Sequence, residues 1–207
     1  FIKNFSIDLS EGFEIYANNS STLLHSPVFY ILTSLLLKFF DEIIYVNIIY
    51  ILISASLPYL LYQIIKQNYK IDNEYIFFLS LIIFFSPYFR SSSIWLLGYN
   101  LSLIFFSLSI IYFLKSCNSK DNISNFFLCL FFLILCSYIR YYYSIFSLYY
   151  FLIFFKYLKK KIFFYLLFFS FLLSVPALGY FYYIFQNYNF LGTLNNFGKI
   201  NFYSNGL

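Results

Sequence analysis

Polar residues divide this chain into long apolar runs. Residues 43–65, 75–85, 94–114, 126–139, 141–155 and 162–185 are almost free of charge, and the stretches between them hold most of the lysines and carboxylates. The longest runs have the roughly 17 to 25 residues that a helix needs to cross hydrocarbon, and they show none of the two-residue alternation of barrel strands. The pattern predicts an all-α, polytopic membrane protein with about six transmembrane helices. Pro58 and Pro176 fall inside runs and predict kinks. The run after His25-Ser-Pro is only about 14 residues long and contains Lys38, so it predicts a juxtamembrane helix lying in the interface. As a crossing helix it would leave the later loops in place but move the N-terminal segment to the other side. The chain then divides as one integral-membrane domain over 1–207: an outer loop at 1–26, the juxtamembrane helix at 27–42, a helix bundle at 43–185 and an outer tail at 186–207.

Composition supports the membrane reading. Of 207 residues, 62% are hydrophobic, 28% aromatic and 10% charged, against roughly 25% charged in a soluble domain. This excludes an ordinary soluble enzyme or a nucleic-acid-binding module. The abundance of Phe, Ile, Tyr, Asn and Lys also fits a low-GC genome, which lowers the weight of any single Tyr or Asn. Opening on Phe1 and closing on a polar stretch, the chain is expected to be a piece of a longer protein. Charge sets the orientation: 66–74, 115–125 and 156–161 carry eight of the thirteen Lys and Arg, so the positive-inside rule places them in the cytoplasm. The N-terminal segment, the Arg90 and Arg140 corners and the tail then share the outer side.

Few side chains there are equipped for chemistry. Asp8, Glu11 and Glu14 place three carboxylates within seven residues, either as a general base beside the membrane or as an ordinary solvated cluster. Arg90 and Arg140 are the two arginines, each at the end of an apolar run. A guanidinium at that depth anchors a helix end or grips phosphate bidentately, and two at matching corners favour phosphate. His25 reads equally as interfacial or functional. Tyr138, Tyr141, Tyr142 and Tyr143 suit an interface, where the ring is apolar and the hydroxyl stays wet. Cys129 and Cys136 stand seven apart on one helical face, as packing residues do. With Cys117 they form no CxxC pair, which argues against a thiolate metal site.

The order of these features resembles the GT-C fold membrane glycosyltransferases, the protein mannosyltransferase and aminoarabinose transferase group. The matching stretches are the acidic segment from Asp8 to Tyr16, His25-Ser-Pro-Val-Phe-Tyr30, and Ser86-Pro87 through Arg90 to Tyr99; Tyr138-Ile-Arg-Tyr-Tyr-Tyr143 resembles the aromatic outer corners of such enzymes. The family's adjacent Asp-Glu pair is replaced here by spaced carboxylates, and the first proline of its His-Pro-Pro motif is Ser26. The resemblance implies transfer of a sugar from a polyprenyl-phosphate donor to a lipid, glycan or protein acceptor on the extracytoplasmic face of a bacterial plasma membrane. It assigns Glu11 or Glu14, with Asp8, to base catalysis, Arg90 and Arg140 to donor phosphate, and His25, Tyr99 and Tyr141 to substrate. It calls for no cofactor, leaves a divalent cation open, and names the bilayer and the lipid donor as partners. An O-antigen-type polymerase or a flippase for lipid-linked oligosaccharides would share the arginines and aromatics.

Overall fold

The computed structural model describes residues 2–18, 27–118 and 122–187, and every regular element among them is helical. The N-terminal segment, expected as an outer loop, is helical over most of its described length. It forms α1 (Ile2–Ile7) and α2 (Leu9–Asn18). The cause is local: Asp8 Oδ1 accepts from the backbone N–H of Ser10 at 2.7 Å and of Glu11 at 3.4 Å, satisfying two donors that a helix start leaves free. The Asp-x-x-Glu spacing that looks like a carboxylate cluster is thus also a helix-start signal. The two helices meet at Gly12, where an added Cβ would lie 2.6 Å from the ring of Phe5.

α3 (Val28–Phe40) has 13 residues, giving a length of about 20 Å against roughly 30 Å of hydrocarbon. It ends at Asp41, which adopts φ 57° and donates its N–H to the Leu37 carbonyl at 2.9 Å. α4 (Ile43–Ser54) and α5 (Leu57–Asn68) together form one 26-residue apolar stretch. The break between them falls where Pro58 cannot donate an N–H, so the expected kink becomes a restart. α6 (Asn73–Leu81) tightens into a 3-10 turn at Ile82–Phe85, and α7 (Pro87–Ile94) leaves at a bend of 64°. Ser86 is extended and its Oγ accepts from the Phe89 N–H at 3.4 Å, with Pro87 at the first helical position. Serine before proline therefore closes one helix and opens the next.

α8 (Tyr99–Asn118), α9 (Ile123–Ile139), a 3-10 turn at Tyr141–Ser144, α10 (Ile145–Tyr157) and α11 (Lys160–Asn187) complete the described chain. The expected span at 94–114 thus starts five residues later, because α7 ends at Ile94 and a turn intervenes. Pro176 lies inside α11. Among the described residues, three helical stretches are long and apolar enough to cross a membrane: Ile43–Asn68, Tyr99–Asn118 and Lys160–Gly179. Counting the bent pair Asn73–Phe85 and Pro87–Ile94 as one span makes four. Of the six expected, the stretches at 126–139 and 141–155 form α9, of 17 residues, and the shorter α10, of 13.

The α8–α9 pairing is the most extensive in the bundle. Small residues permit it: Ser109 Oγ donates to the Cys129 carbonyl at 3.0 Å, and Cys136 Sγ to the Ser102 carbonyl at 3.1 Å. Close approach through small side chains, with hydroxyls and thiols bonded to the neighbouring backbone, is how helices associate where lipid offers no hydrophobic drive. Cys129 and Cys136 are both fully buried on this face, as their spacing predicts. Phe126, Leu133, Tyr150, Phe154 and Leu166 form a core shared by α9, α10 and α11, with Phe113 of α8 stacked on Tyr150.

A second core lies at the other end of α9, where Ile139 meets Phe29, Val46, Tyr50 and Leu96, with Ile2 of α1 packed alongside. Gly98 sits in its midst: an added Cβ would lie 3.0 Å from Ile139 Cγ2 and 3.1 Å from Phe29 Cγ. Gly98→Ala is therefore expected to destabilise the protein by about 1 kcal/mol, seen as a lower thermal midpoint in detergent. Gly179→Ala, whose Cβ would meet nothing within 4 Å, serves as the control and should leave the midpoint unchanged or raise it. Equal midpoints for Gly98→Ala and the native protein would refute the tight packing at this corner.

Candidate functional site

The site is built on two chain reversals that meet beside α1–α3. At the first, α7 ends with Leu96 at φ 49° and the Leu97 N–H on the Ser92 carbonyl at 3.0 Å. This closing turn ordinarily takes glycine, since a side chain in the left-handed region costs roughly 1–2 kcal/mol. Leu96 is nevertheless 7% exposed and packs in the core with Phe29, Tyr50 and Ile139. Burial of a leucine, worth about 1.5–3 kcal/mol, offsets the strain.

The serines Ser91 to Ser93 look like a polar flag in the sequence, and two of them prove to be part of a lock. Ser92 Oγ donates to the Leu97 carbonyl at 2.7 Å and accepts from the Asn100 N–H at 3.2 Å. Asn100, 1% exposed, donates its Nδ2 to the Phe89 carbonyl at 3.0 Å and to Ser93 Oγ at 2.7 Å. Tyr50 adds its hydroxyl to the Leu97 carbonyl. Backbone leaving a helix inside an apolar bundle must find partners, and here three side chains supply them. Tyr99 is held between Gly98 and Asn100 and so emerges in one direction. Sequence reasoning passed over Asn100; the available signal was a lone amide at the start of an apolar helix.

The second reversal carries Arg140. Backbone helicity stops at Ile139, and Arg140 is extended, at φ −137° and ψ 98°, with its N–H on the Cys136 carbonyl at 2.9 Å. Its guanidinium carbon lies 3.7 Å from the centroid of the Tyr99 ring, a cation–π contact in a half-buried setting. Other phenols feel its charge, Tyr30 and Tyr142 among them. Burial raises the pKa of Tyr30 and of Tyr142, and in each case the Arg140 charge pulls the other way. These tyrosines stay protonated at neutral pH and offer hydroxyls as donors. Tyr16 of α2, 1% exposed, lies 5.6 Å ring to ring from Tyr30, so the end of the acid-bearing helix reaches the tyrosines around the arginine.

Of the residues singled out from sequence, Arg140 and Tyr99 are therefore in direct contact. Tyr141 is 55% exposed, with its ring 6.1 Å from that of Tyr142. Arg90 lies on the exposed face of α7, away from buried Phe89, Ser92 and Ser93, and its side chain has no hydrogen-bond or ion-pair partner among the described residues. Asp8 is engaged in capping, and Glu11 is exposed on α2. His25 and the side chain of Glu14 lie outside the described residues. No cluster of three metal-ligating side chains occurs among the described residues.

Beside Tyr141 a groove of about 380 Å³ runs between α9, α10 and α11, from Tyr138, Ser174 and Ala177 to Leu130, Phe151 and Leu167. Three of its serines, Ser137, Ser170 and Ser174, spend their hydroxyls on carbonyls of their own helices at 2.8 Å. The lining is apolar in effect. Tyr138 bridges the groove's upper edge, donating to the Leu173 carbonyl at 2.5 Å. The arrangement thus sets an apolar slot beside Tyr141, the residue that follows Arg140. Compared with models of known protein families, with curated proteins and with solved structures, the chain matches none of them.

Proposed function

We propose that this chain belongs to a membrane glycosyltransferase that takes a sugar from a polyprenyl-phosphate donor on the outer face of the membrane. The observation that carries the reading is Arg140 resting on Tyr99 at 3.7 Å among Tyr30, Tyr142 and the end of α2. A guanidinium already oriented on a ring loses little freedom on binding phosphate. Tyr141 leads from there to the groove under α11, which suits the isoprenoid tail. In the reaction the acceptor hydroxyl loses its proton to a carboxylate of α2, Glu11 or Glu14, as its oxygen bonds to the sugar's anomeric carbon. The bond from that carbon to the phosphate oxygen breaks, and Arg140 stabilises the departing polyprenyl phosphate. Arg90, exposed at the neighbouring corner, makes a weaker outer contact with the donor. The six-span arrangement, with the lysine-rich connections in the cytoplasm, completes the reading.

The test is transfer from a polyprenyl-phosphate sugar in proteoliposomes containing the full-length protein. Glu11→Gln and Glu14→Gln are to be compared, and the one that removes the base should lower kcat by roughly 10²–10⁴ with little change in KM. Undiminished turnover in both variants and in their double would overturn the assignment of the base to α2.

A further inference from the structure

A second hollow, independent of the donor reading, lies at the far end of α3 from Tyr30. It has a volume of about 660 Å³ and is lined by Lys3, Ser6 and Ile7 of α1, by Leu37 and Lys38 of α3, and by Asp41, Glu42 and the first residues of α4. Two features set it apart from an ordinary charged surface. Its two lysines and two carboxylates sum to zero (two minus two), yet none of these four side chains makes an ion pair or hydrogen bond among the described residues. It also stands at the membrane boundary, since the 26-residue apolar stretch begins at Ile43. Of its lining residues Ile7 is 77% exposed and Ile44 60%, and Phe39, next in sequence to Lys38, is 81% exposed.

A net anion or a net cation gains little from such a balanced set, because each attraction is matched by a repulsion at similar range. A ligand carrying both charges a few ångströms apart gains from all four. We propose that this hollow binds the headgroup of an aminoalkyl-phosphate lipid of the phosphatidylethanolamine class, with acyl chains against Ile7, Phe39 and Ile44. The phosphate takes Lys3 and Lys38. The primary ammonium, with three donors, takes Asp41, Glu42 and the last carbonyls of α3, where the helix dipole also favours a cation. A quaternary ammonium of similar size has no N–H to give, so the two zwitterionic headgroups are distinguishable. The role suits α3, because a bound headgroup would hold this short helix in the plane of the interface.

The experiment is native mass spectrometry of the full chain in detergent, equilibrated with equal amounts of phosphatidylethanolamine, phosphatidylcholine and phosphatidylglycerol. The first lipid should be retained about fivefold over each of the others. Lys3→Gln with Lys38→Gln should abolish that preference. Asp41→Asn with Glu42→Gln, in which asparagine keeps the left-handed backbone at 41, leaves two uncompensated lysines and should shift the preference to phosphatidylglycerol. All four side chains are without partners among the described residues, so an unchanged thermal midpoint is expected and separates lost binding from lost fold. Equal retention of the three lipids by the native protein would overturn the proposal, as would a preference that survives both double variants. Displacement of the lipid by an equal concentration of soluble glycerophosphoethanolamine would overturn its assignment to a lipid surface.

Discussion

Arg140→Ala in the full-length protein is expected to weaken binding of the polyprenyl-phosphate donor by roughly thirtyfold or more, which corresponds to about 2 kcal/mol for a charge-assisted contact in a half-buried site. The loss should appear chiefly in KM for the donor, because the phosphate is gripped in the ground state as well as the transition state. Arg140→Lys should recover only part of it. An ammonium keeps the charge but gives up both the planar stacking on Tyr99 and the two-pronged grip on phosphate. Tyr99→Leu tests the support directly: it keeps the arginine but removes the ring beneath it, so an intermediate loss is expected. Arg90→Ala should change donor affinity by less than about threefold, the scale of an exposed ion pair. A larger effect at Arg90 than at Arg140 would reverse the assignment of the donor site.

The largest loss of stability is expected at Asn100. Replacing it with leucine removes the two side-chain donations to the Phe89 carbonyl and Ser93 Oγ and places an apolar group among Ser92, Ser93 and exposed backbone ends. Each buried polar group left unsatisfied costs about 1–3 kcal/mol in water-soluble proteins, and hydrogen bonds between membrane helices average nearer 0.6 kcal/mol. A total of about 2 kcal/mol lies between these scales. Ser93→Ala, which removes one partner only, should cost about half as much. Both are measured by unfolding in mixed detergent, read against Gly179→Ala. A further consequence separates this lock from simple packing: Asn100→Leu should also weaken the donor, because Tyr99 is its immediate neighbour and loses its fixed direction. Asn100→Leu matching the native protein in both stability and donor affinity would eliminate the lock.

The local chain determined a good deal of this protein by itself. Uninterrupted apolar runs must satisfy their own backbone in lipid, so they become helices, and their lengths set which ones reach across. Ser86-Pro87 and Pro58 mark breaks because proline lacks an N–H wherever it stands. The seven-residue spacing of Cys129 and Cys136 places both on one face before any partner is known. Tertiary structure decided the rest. Arg90 and Arg140 look alike in sequence, each at the end of an apolar run, and differ only in what another helix offers: Tyr99 waits beneath Arg140, while Arg90 faces outward. Leu96 in a left-handed conformation contradicts local preference and is held there by Phe29, Tyr50 and Ile139. The acidic segment at the N-terminus shows the division within a few residues. Its helix start at Asp8 rests on local capping that the expectation of a loop missed, and its close seat on Phe5 and its reach to Tyr30 depend on side chains that meet only once the helices pack. Propensity acts within a turn or two of helix, whereas a guanidinium's partner is chosen through space.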